Sequence, residues 1–275
     1  MMTEKYKISD VEHYVSEMKK PLADKLWFLE HVWVESMLDI GTADATIPIH
    51  LSDLFKHDFK CYAYEPDYNL YWMGNVAANA TNNNGKYEGR VFIYNKFREY
   101  LNVVKSKKQI DLINLSSVLH EVYNGYSGGV IDLFRIIKES DARYISIRDM
   151  KLKHLNFSDS LYMEIPEKYK EKWQEWQECH DGAHDGGHDC CYDDKLIQFL
   201  LKYRYDVNWE AEVREDYFAT DWDEIDKILR ILGYKKVMEK NYTPDFIKND
   251  VQKTFDFSFD NHEITTHTNI LYRFD

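Results

Sequence analysis

Short apolar runs alternate with amphipathic segments along the first half of the chain. Helical sequence covers residues 8–31, with an interruption near Pro21. The apolar runs that follow predict strands at residues 34–40, 60–64, 90–94, 110–115 and 143–147. The segments between them read as helices or short helical turns, at residues 46–55, 69–79, 97–105 and 129–138. Strands that alternate with helices in this way predict a parallel sheet covered by helices on both faces.

The alternation stops near residue 151 and returns towards the end of the chain. Residues 151–215 are charged, rich in Trp and Tyr, and helical in pattern. A helix at 222–229 and strands at 234–242 and 268–274 then restore the earlier pattern. We therefore expect a Rossmann-like α/β fold, with a doubly wound, mostly parallel, seven-stranded sheet and a mostly helical insertion.

Two residues at predicted strand ends point to a nucleotide-binding site. Ligands of doubly wound sheets bind beyond the carboxyl ends of the strands, where the strand order reverses. Gly41 follows the first strand, where a tight turn lets the backbone approach a ligand. Glu65 follows the second strand, where an acidic side chain can accept hydrogen bonds from both ribose hydroxyls. Each residue alone is common in turns, but the ordered pair favours a nucleotide site.

Four segments resemble the ordered motifs of the class I S-adenosylmethionine-dependent methyltransferases. These segments are LDIGTADA at 38–45, YAYEPD at 62–67, DLINLSSVLHEV at 111–122 and YISIRDM at 144–150. The resemblance covers about residues 20 to 150, and the last two predicted strands extend it. It implies S-adenosyl-L-methionine as the cofactor and in-line transfer of its methyl group as the activity.

The same resemblance implies which residues bind the cofactor. Asp39 and Gly41 would line the methionine moiety, Glu65 would hold the ribose, and Asn95 would lie near the adenine. Ser116 and Ser117 would lie on the loop beneath the sulfonium and the substrate. The expected cofactor-binding set is completed by Ala43, Pro66 and Asp67. Ala43 and Ala45 stand where the family has its later glycines.

The resemblance also divides the chain into three parts. Residues 1–150 would form the cofactor-binding part together with the N-terminal helices. Residues 151–215 would be the helical insertion, which we expect to cover the substrate as a lid. Residues 216–275 would complete the methyltransferase domain.

Two other functions use similar sequence features. A dinucleotide-dependent dehydrogenase also needs glycines and a ribose-binding acid, but its fingerprint has a small residue where this chain has Thr46. A non-catalytic subunit that binds S-adenosylmethionine and acts through a partner would share the whole cofactor motif. The segment after the fourth strand and the late strand pair favour the methyltransferase over the dehydrogenase.

Three residues at the strand ends are candidates for catalysis. His120 and Glu121 follow the fourth strand directly, and His120 could serve as a general base near neutral pH. The alternative for His120 is a packing role, because Val118 and Val122 mark the buried face of the same helix. Asp149 follows the fifth strand beside Arg148, where substrate binding and a structural ion pair are both compatible with the sequence.

The segment from Cys179 to Cys191 combines cysteines and histidines at short spacings. Such residues can supply a tetrahedral zinc site, and a metal-dependent enzyme built on this segment is a further alternative. Its glycines oppose a helix, and its ligand spacing matches no paired-knuckle pattern. We therefore expect a polar loop here and assign no metal ligand.

Charge and hydropathy narrow the class of partner. The formal net charge of −13 disfavours nucleic acid, whose phosphates are usually neutralised by basic surfaces. A small molecule or a protein is the expected acceptor. The sequence has neither an apolar stretch of about 20 residues nor an apolar signal core, which predicts a cytoplasmic protein without membrane spans.

Overall fold

The computed structural model describes residues 21–55, 59–83, 90–107, 110–125, 129–154, 161, 163–180, 192–206 and 209–275. Their packing divides them into two compact units. Apart from the gaps just given, the sheet unit comprises residues 21–149, 220–240 and 268–275, and the helical unit comprises residues 150–219 and 241–267.

The described strands form one seven-stranded sheet. The strands are β1 Ser36–Ile40, β2 Lys60–Tyr64, β3 Val91–Tyr94, β4 Leu112–Ser116, β5 Tyr144–His154, β6 Tyr234–Tyr242 and β7 Ile264–Phe274. Their order is β3-β2-β1-β4-β5-β7-β6. The pairs β1–β2, β1–β4, β2–β3 and β4–β5 are parallel. From β1 the chain builds the sheet outwards through β2 to β3, then crosses back to place β4 on the other side of β1. This reversal confirms the doubly wound α/β sheet expected from the sequence.

Helices separate the strands. Those before β5 are α1 Leu22–Lys25, α2 Thr46–Phe55, α3 Tyr68–Asn83, α4 Phe97–Ser106, α5 Leu119–Gly125 and α6 Gly129–Ser140. Those after it are α7 Lys170–His180, α8 Tyr192–Lys202, α9 Trp209–Glu212, α10 Trp222–Ile231 and α11 Asp245–Phe255. Short 3-10 turns occupy Trp27–Glu30 and Glu167–Tyr169. Among the described helices, none is both long and apolar enough to cross a bilayer.

The alternation of side chains along each strand covers both faces of the sheet. In β1, Leu38 and Ile40 belong to one buried cluster, whereas Met37 belongs to another. In β4, Ile113 and Leu112 divide between the same two clusters. Because successive side chains point to opposite faces of a strand, the two clusters are the cores on the two sides of the sheet. This is the burial that a parallel sheet requires.

Aromatic residues form the core of the helical unit. Trp173 of α7 meets Phe199 of α8 edge to face, with ring centroids 4.9 Å apart. Trp209 of α9 and Phe255 of α11 join the same buried cluster. Trp209 is only 8% exposed, so its ring serves the packing of this core.

The fold has two features that the apolar pattern did not predict. Helix α11 lies between β6 and β7 and buries Ile247, Val251 and Phe255, which are spaced four residues apart. β5 and β7 continue well beyond the residues predicted for them. Polar residues such as Lys151 and Thr266 interrupt the apolar runs there, so the strand bounds could not be read from hydropathy alone.

The turn after β1 depends on the absence of a side chain at Gly41. Its φ angle is +70°, but Ala43 and Ala45 also have positive φ angles, +51° and +61°. A left-handed backbone therefore does not by itself require glycine in this loop. A Cβ atom at Gly41 would lie 2.6 Å from Cγ2 of Val118, which is far closer than van der Waals contact.

Replacing Gly41 by alanine tests this contact. We expect Gly41→Ala to lower the free energy of unfolding by about 1–3 kcal/mol, because the new methyl group overlaps Val118. In a Val118→Ala background the same substitution should cost less, leaving about 1 kcal/mol for the left-handed backbone. Urea unfolding of the four proteins in this cycle measures both costs. Equal costs in the two backgrounds would show that the contact with Val118 does not explain the glycine.

Candidate cofactor and active site

The predicted site residues lie together at the carboxyl edge of the sheet. Ile40 is aligned with Tyr64 of β2 and with Leu115 of β4, and Tyr64 is aligned with Tyr94 of β3. Ser116 is aligned with Arg148 of β5. Four residues that follow the ends of β1 to β4 therefore share one edge; they are Gly41, Glu65, Asn95 and Ser117. Asp149 was predicted to follow the fifth strand but lies within β5, next to Arg148. The strand order reverses between β1 and β4, which is where ligands bind in open α/β sheets.

Asp39 is the buried acid at the centre of this edge. It is 2% exposed. Its Oδ2 accepts a hydrogen bond from the Thr42 hydroxyl at 2.6 Å, and its Oδ1 accepts one from Nδ2 of Asn114 at 2.7 Å. Burial raises the pKa of Asp39 to about 6, although these hydrogen bonds and the charge of Lys25 act in the opposite direction. Asp39 is thus ionised at neutral pH and held in one orientation.

Glu65 fastens the loop after β1 to the loop after β2. Its Oε2 accepts a hydrogen bond from the backbone amide of Ala43 at 2.8 Å, and its Oε1 accepts one from the amide of Asp67 at 2.9 Å. Burial raises the pKa of Glu65 to about 8, partly offset by these two amides. Each carboxylate oxygen has a second lone pair, so Glu65 can still accept hydrogen bonds from a ligand.

The loop after β1 repeats one backbone conformation at alternate residues. Gly41, Ala43 and Ala45 all have positive φ angles, between +51° and +70°. The alanines therefore adopt the left-handed conformation that glycine would favour at the same places. Alanine at positions 43 and 45 is therefore compatible with the left-handed backbone of this loop.

A small cavity lies beside this loop. Its lining includes Asp39, Gly41, Ala43, Ser116 and Lys25. The hydroxyl of Ser116 is buried and has no hydrogen-bond partner among the described residues. A buried hydroxyl without a partner is costly, so a ligand that supplies one would be favoured. The cavity thus presents an unsatisfied polar atom together with charges of both signs.

Asp67, Pro66 and Asn95 are not among the residues that line this cavity. Oδ1 of Asp67 accepts hydrogen bonds from the amides of Asn69 and Leu70, both at 2.9 Å, and so caps the start of α3. Asn95 follows β3, whose last carbonyl, that of Tyr94, accepts a hydrogen bond from the amide of Glu65. The roles assigned to these residues in cofactor binding stay predictions.

His120 and Asp149 form a buried pair. Nδ1 of His120 lies 2.5 Å from Oδ1 of Asp149, and the two residues are 4% and 0% exposed. Oδ2 of Asp149 also accepts the amides of Val118 at 2.9 Å and Leu119 at 2.6 Å. These amides belong to the start of α5, where a negative charge is stabilising. Asp149 therefore orients the imidazole and holds the helix that carries it.

The sequence was compatible with substrate binding or with a structural ion pair at Arg148 and Asp149, and Arg148 forms an ion pair. Its Nε and Nη2 donate to Oδ2 of Asp24 at 2.7 Å and 2.6 Å. Its Nη1 donates to the hydroxyl of Ser117 at 2.8 Å. Ser117 has a φ angle of +57°, and its amide donates to the carbonyl of Arg148. Arg148 thus ties α1 and the loop after β4 to the end of β5.

The cysteine- and histidine-rich segment is described only at its beginning. The ring of His180 stacks on Trp176 with centroids 3.8 Å apart, and its Nδ1 lies 2.8 Å from the Trp176 carbonyl. Residues 181–191 lie outside the described residues, so the expectation of a polar loop there remains a prediction.

Sequence reasoning missed two polar residues that the fold brings to the site. Asn114 lies opposite Asp39 in the β1–β4 register and donates to it. A polar residue within the apolar run Leu112–Leu115 was a signal for such a role, because buried amides need partners. Lys25 lies between the apolar residues Leu22 and Leu26, and the sequence pattern does not distinguish it from an ordinary surface lysine.

Comparisons with known proteins address the fold. No family model and no curated protein matches the sequence. The methyltransferase domain of bacterial CtHen1-C is similar in structure, with a TM-score of 0.54, 8% identity, and coverage of 94% of this chain and 98% of that one. The plantazolicin methyltransferase BamL, solved with a triazolic desmethylPZN analog and SAH, has a TM-score of 0.50 and 10% identity over 96% of this chain and 89% of that one. The chain has the fold of the class I S-adenosylmethionine-dependent methyltransferases, as the sequence resemblance predicted.

Replacing Asp149 by asparagine tests its role in holding α5. The carboxylate accepts from two amides and from His120, whereas an asparagine would direct its own NH2 group at one of these donors. We expect Asp149→Asn to lower the free energy of unfolding by about 2–3 kcal/mol. Asp53→Asn on the exposed face of α2 should change it by less than about 0.5 kcal/mol. Urea unfolding measures both, and equal effects of the two variants would contradict the role of Asp149.

Proposed function

We propose that this protein is an S-adenosylmethionine-dependent methyltransferase that binds its cofactor at the carboxyl ends of β1, β2 and β4. The observation that carries the proposal is the cavity at the point of strand-order reversal, with the unsatisfied hydroxyl of Ser116 buried in its wall. The similarity to solved methyltransferases supports the same reading through the fold. S-adenosylmethionine would supply an electrophilic methyl group on its sulfonium.

Three residues of the chain would bind different parts of the cofactor. Glu65 has lone pairs left for the two ribose hydroxyls, and its hydrogen bonds to Ala43 and Asp67 fix where those lone pairs point. Asp39 offers a negative charge towards the ammonium group of the amino-acid end, and Ser116 offers a hydroxyl. Binding of this kind would accelerate the reaction mainly by alignment, since methyl transfer needs the nucleophile in line with the methyl group.

His120 is the residue that we assign to proton transfer. Asp149 accepts at Nδ1, which favours the tautomer with its proton there and leaves Nε2 as the basic nitrogen. An acceptor hydroxyl would then lose its proton to Nε2 as the methyl group transfers, whereas a protonated amine would lose its proton to Nε2 before transfer, which frees the lone pair that attacks the methyl group. Glu121 begins the same helix and is half-buried, so it is the second candidate for contact with the acceptor.

A small molecule or a protein is the acceptor class that the charge favours. The chain carries 48 acidic and 35 basic side chains, so a polyanionic substrate would be repelled by its overall field. Acceptor screening should therefore start from small molecules and proteins.

Binding of S-adenosylhomocysteine tests the cofactor assignment. Isothermal titration of the full chain should show saturable binding. Glu65→Gln should weaken this binding by about 10- to 100-fold, because the NH2 group that replaces one carboxyl oxygen cannot accept a hydrogen bond, and a buried donor left without a partner costs about 1–3 kcal/mol. Glu99→Gln, which changes an exposed carboxylate on α4, is the matched control and should bind as the unchanged protein does.

Two results would contradict the assignment in different ways. Absence of binding by the unchanged protein would refute the cofactor itself. Normal binding by Glu65→Gln would refute the ribose site while leaving the cofactor in place. Binding without turnover on any pool of small molecules or proteins would favour the non-catalytic subunit over the enzyme.

A further inference from the structure

The outward face of helix α3 carries large apolar side chains. Tyr68, Trp72 and Val76 are 65%, 56% and 48% exposed. They are spaced four residues apart and so lie in one row along the helix; these three residues are the α3 stripe. A helix at the surface of a globular protein usually turns polar side chains to solvent and its apolar stripe to the core. The α3 stripe departs from that arrangement.

The inward face of α3 leaves no room for the stripe in the core of the sheet unit. Leu70, Gly74 and Ala78 are buried and lie two residues out of step with the stripe, on the opposite side of the helix. A Cβ atom at Gly74 would lie 3.1 Å from the backbone carbonyl carbon of Asp44 and 3.2 Å from Cδ1 of Ile93. Because only a small residue fits on this side, α3 cannot turn to bury the stripe there.

The charge of α3 narrows the kind of partner that would cover the stripe. No residue of α3 is charged, although 30% of the residues in the chain are charged and its net charge is −13. A partner recognised through opposite charge would find no charged group to pair with on this helix. Two copies of the chain repel each other through their net charge, and an uncharged face is where they approach with least repulsion. A second copy of the same apolar face is thus the best match.

The shape and area of the stripe also fit a second copy. Side chains four residues apart form a ridge, and two such ridges interlock when helices cross at about −50°. In a two-fold dimer the same face meets itself, so Trp72 at the middle of the stripe would lie near the axis. Its two exposed rings offer roughly 200–300 Å² per copy, if a whole aromatic side chain has about 150–250 Å². This is about a third of the 800 Å² per partner of a standard interface, so neighbouring residues must supply the rest.

We propose that α3 is a dimerisation surface, on which the α3 stripe of one copy packs against the α3 stripe of a second copy. The proposal goes beyond the proposed function and does not depend on the cofactor. Tryptophan and tyrosine near the centre of an interface commonly contribute most of the binding energy. α3 begins directly after Asp67, whose amide donates to Glu65, so the interface starts beside the candidate ribose site of each copy.

Analytical ultracentrifugation of the full chain at several concentrations tests this surface. The unchanged protein should shift from monomer towards dimer between about 1 and 200 µM, as expected for an interface of modest area. Trp72→Glu should raise the dissociation constant of the dimer at least about tenfold, because two carboxylates would face each other near the axis. Trp33→Glu changes a tryptophan that is 71% exposed outside α3, and this matched control should alter the constant by less than about threefold.

A mixture of two variants tests whether the face meets itself. Trp72→Lys alone should also lose the dimer, whereas an equal mixture of Trp72→Glu and Trp72→Lys should recover it through opposite charges. If circular dichroism shows that Trp72→Glu does not fold, Val76→Glu takes its place with the same expectation. A dimer that these substitutions leave intact would overturn the proposal. An unchanged protein that stays monomeric at the highest concentration would also overturn it, and would leave the stripe to a different protein or to another segment of this chain.

Discussion

The hydrogen bonds of Glu65 to two backbone amides determine the geometry of the whole candidate site. One joins the carboxylate to Ala43 in the loop after β1, and the other joins it to Asp67 at the start of α3. Because the residue is buried, these bonds act in a medium of low dielectric, where each is stronger than in water. The loop after β1 is thereby held against the neighbouring strand.

The same principle recurs at each strand end. Asp39 is held by Thr42 and Asn114, Asp149 is held by the start of α5, and Arg148 joins Asp24 to Ser117. Buried charges of this kind persist only where their hydrogen-bonding capacity is met by the surrounding structure. The edge of the sheet is therefore a network of oriented charges rather than a polar surface. Such a network can bind a charged ligand with little reorganisation.

The loop after β1 has a left-handed backbone at positions 41, 43 and 45, although only the first of these residues is glycine. Alanine at positions 43 and 45 accepts the left-handed backbone at a cost of about 1–2 kcal/mol per residue. Gly41 cannot change in the same way, because Val118 occupies the space of a side chain. The packing against α5, and not the φ angle, separates the position that needs glycine from those that tolerate alanine.

The sequence by itself determined the α/β class, the succession of strands along the chain up to β5 and the position of Gly41 and Glu65 at strand ends, but it ended the fifth strand before Asp149, which lies inside β5. These follow from hydropathy and turn composition, which are local properties of the chain. Only the tertiary structure decided that Asn114 contacts Asp39, that Asp149 rather than solvent faces His120, and that Lys25 reaches the cavity. Each of these contacts joins residues far apart in the chain, and β-sheet register together with the Asp24–Arg148 pair brings them together. A local pattern carries no information on such pairings.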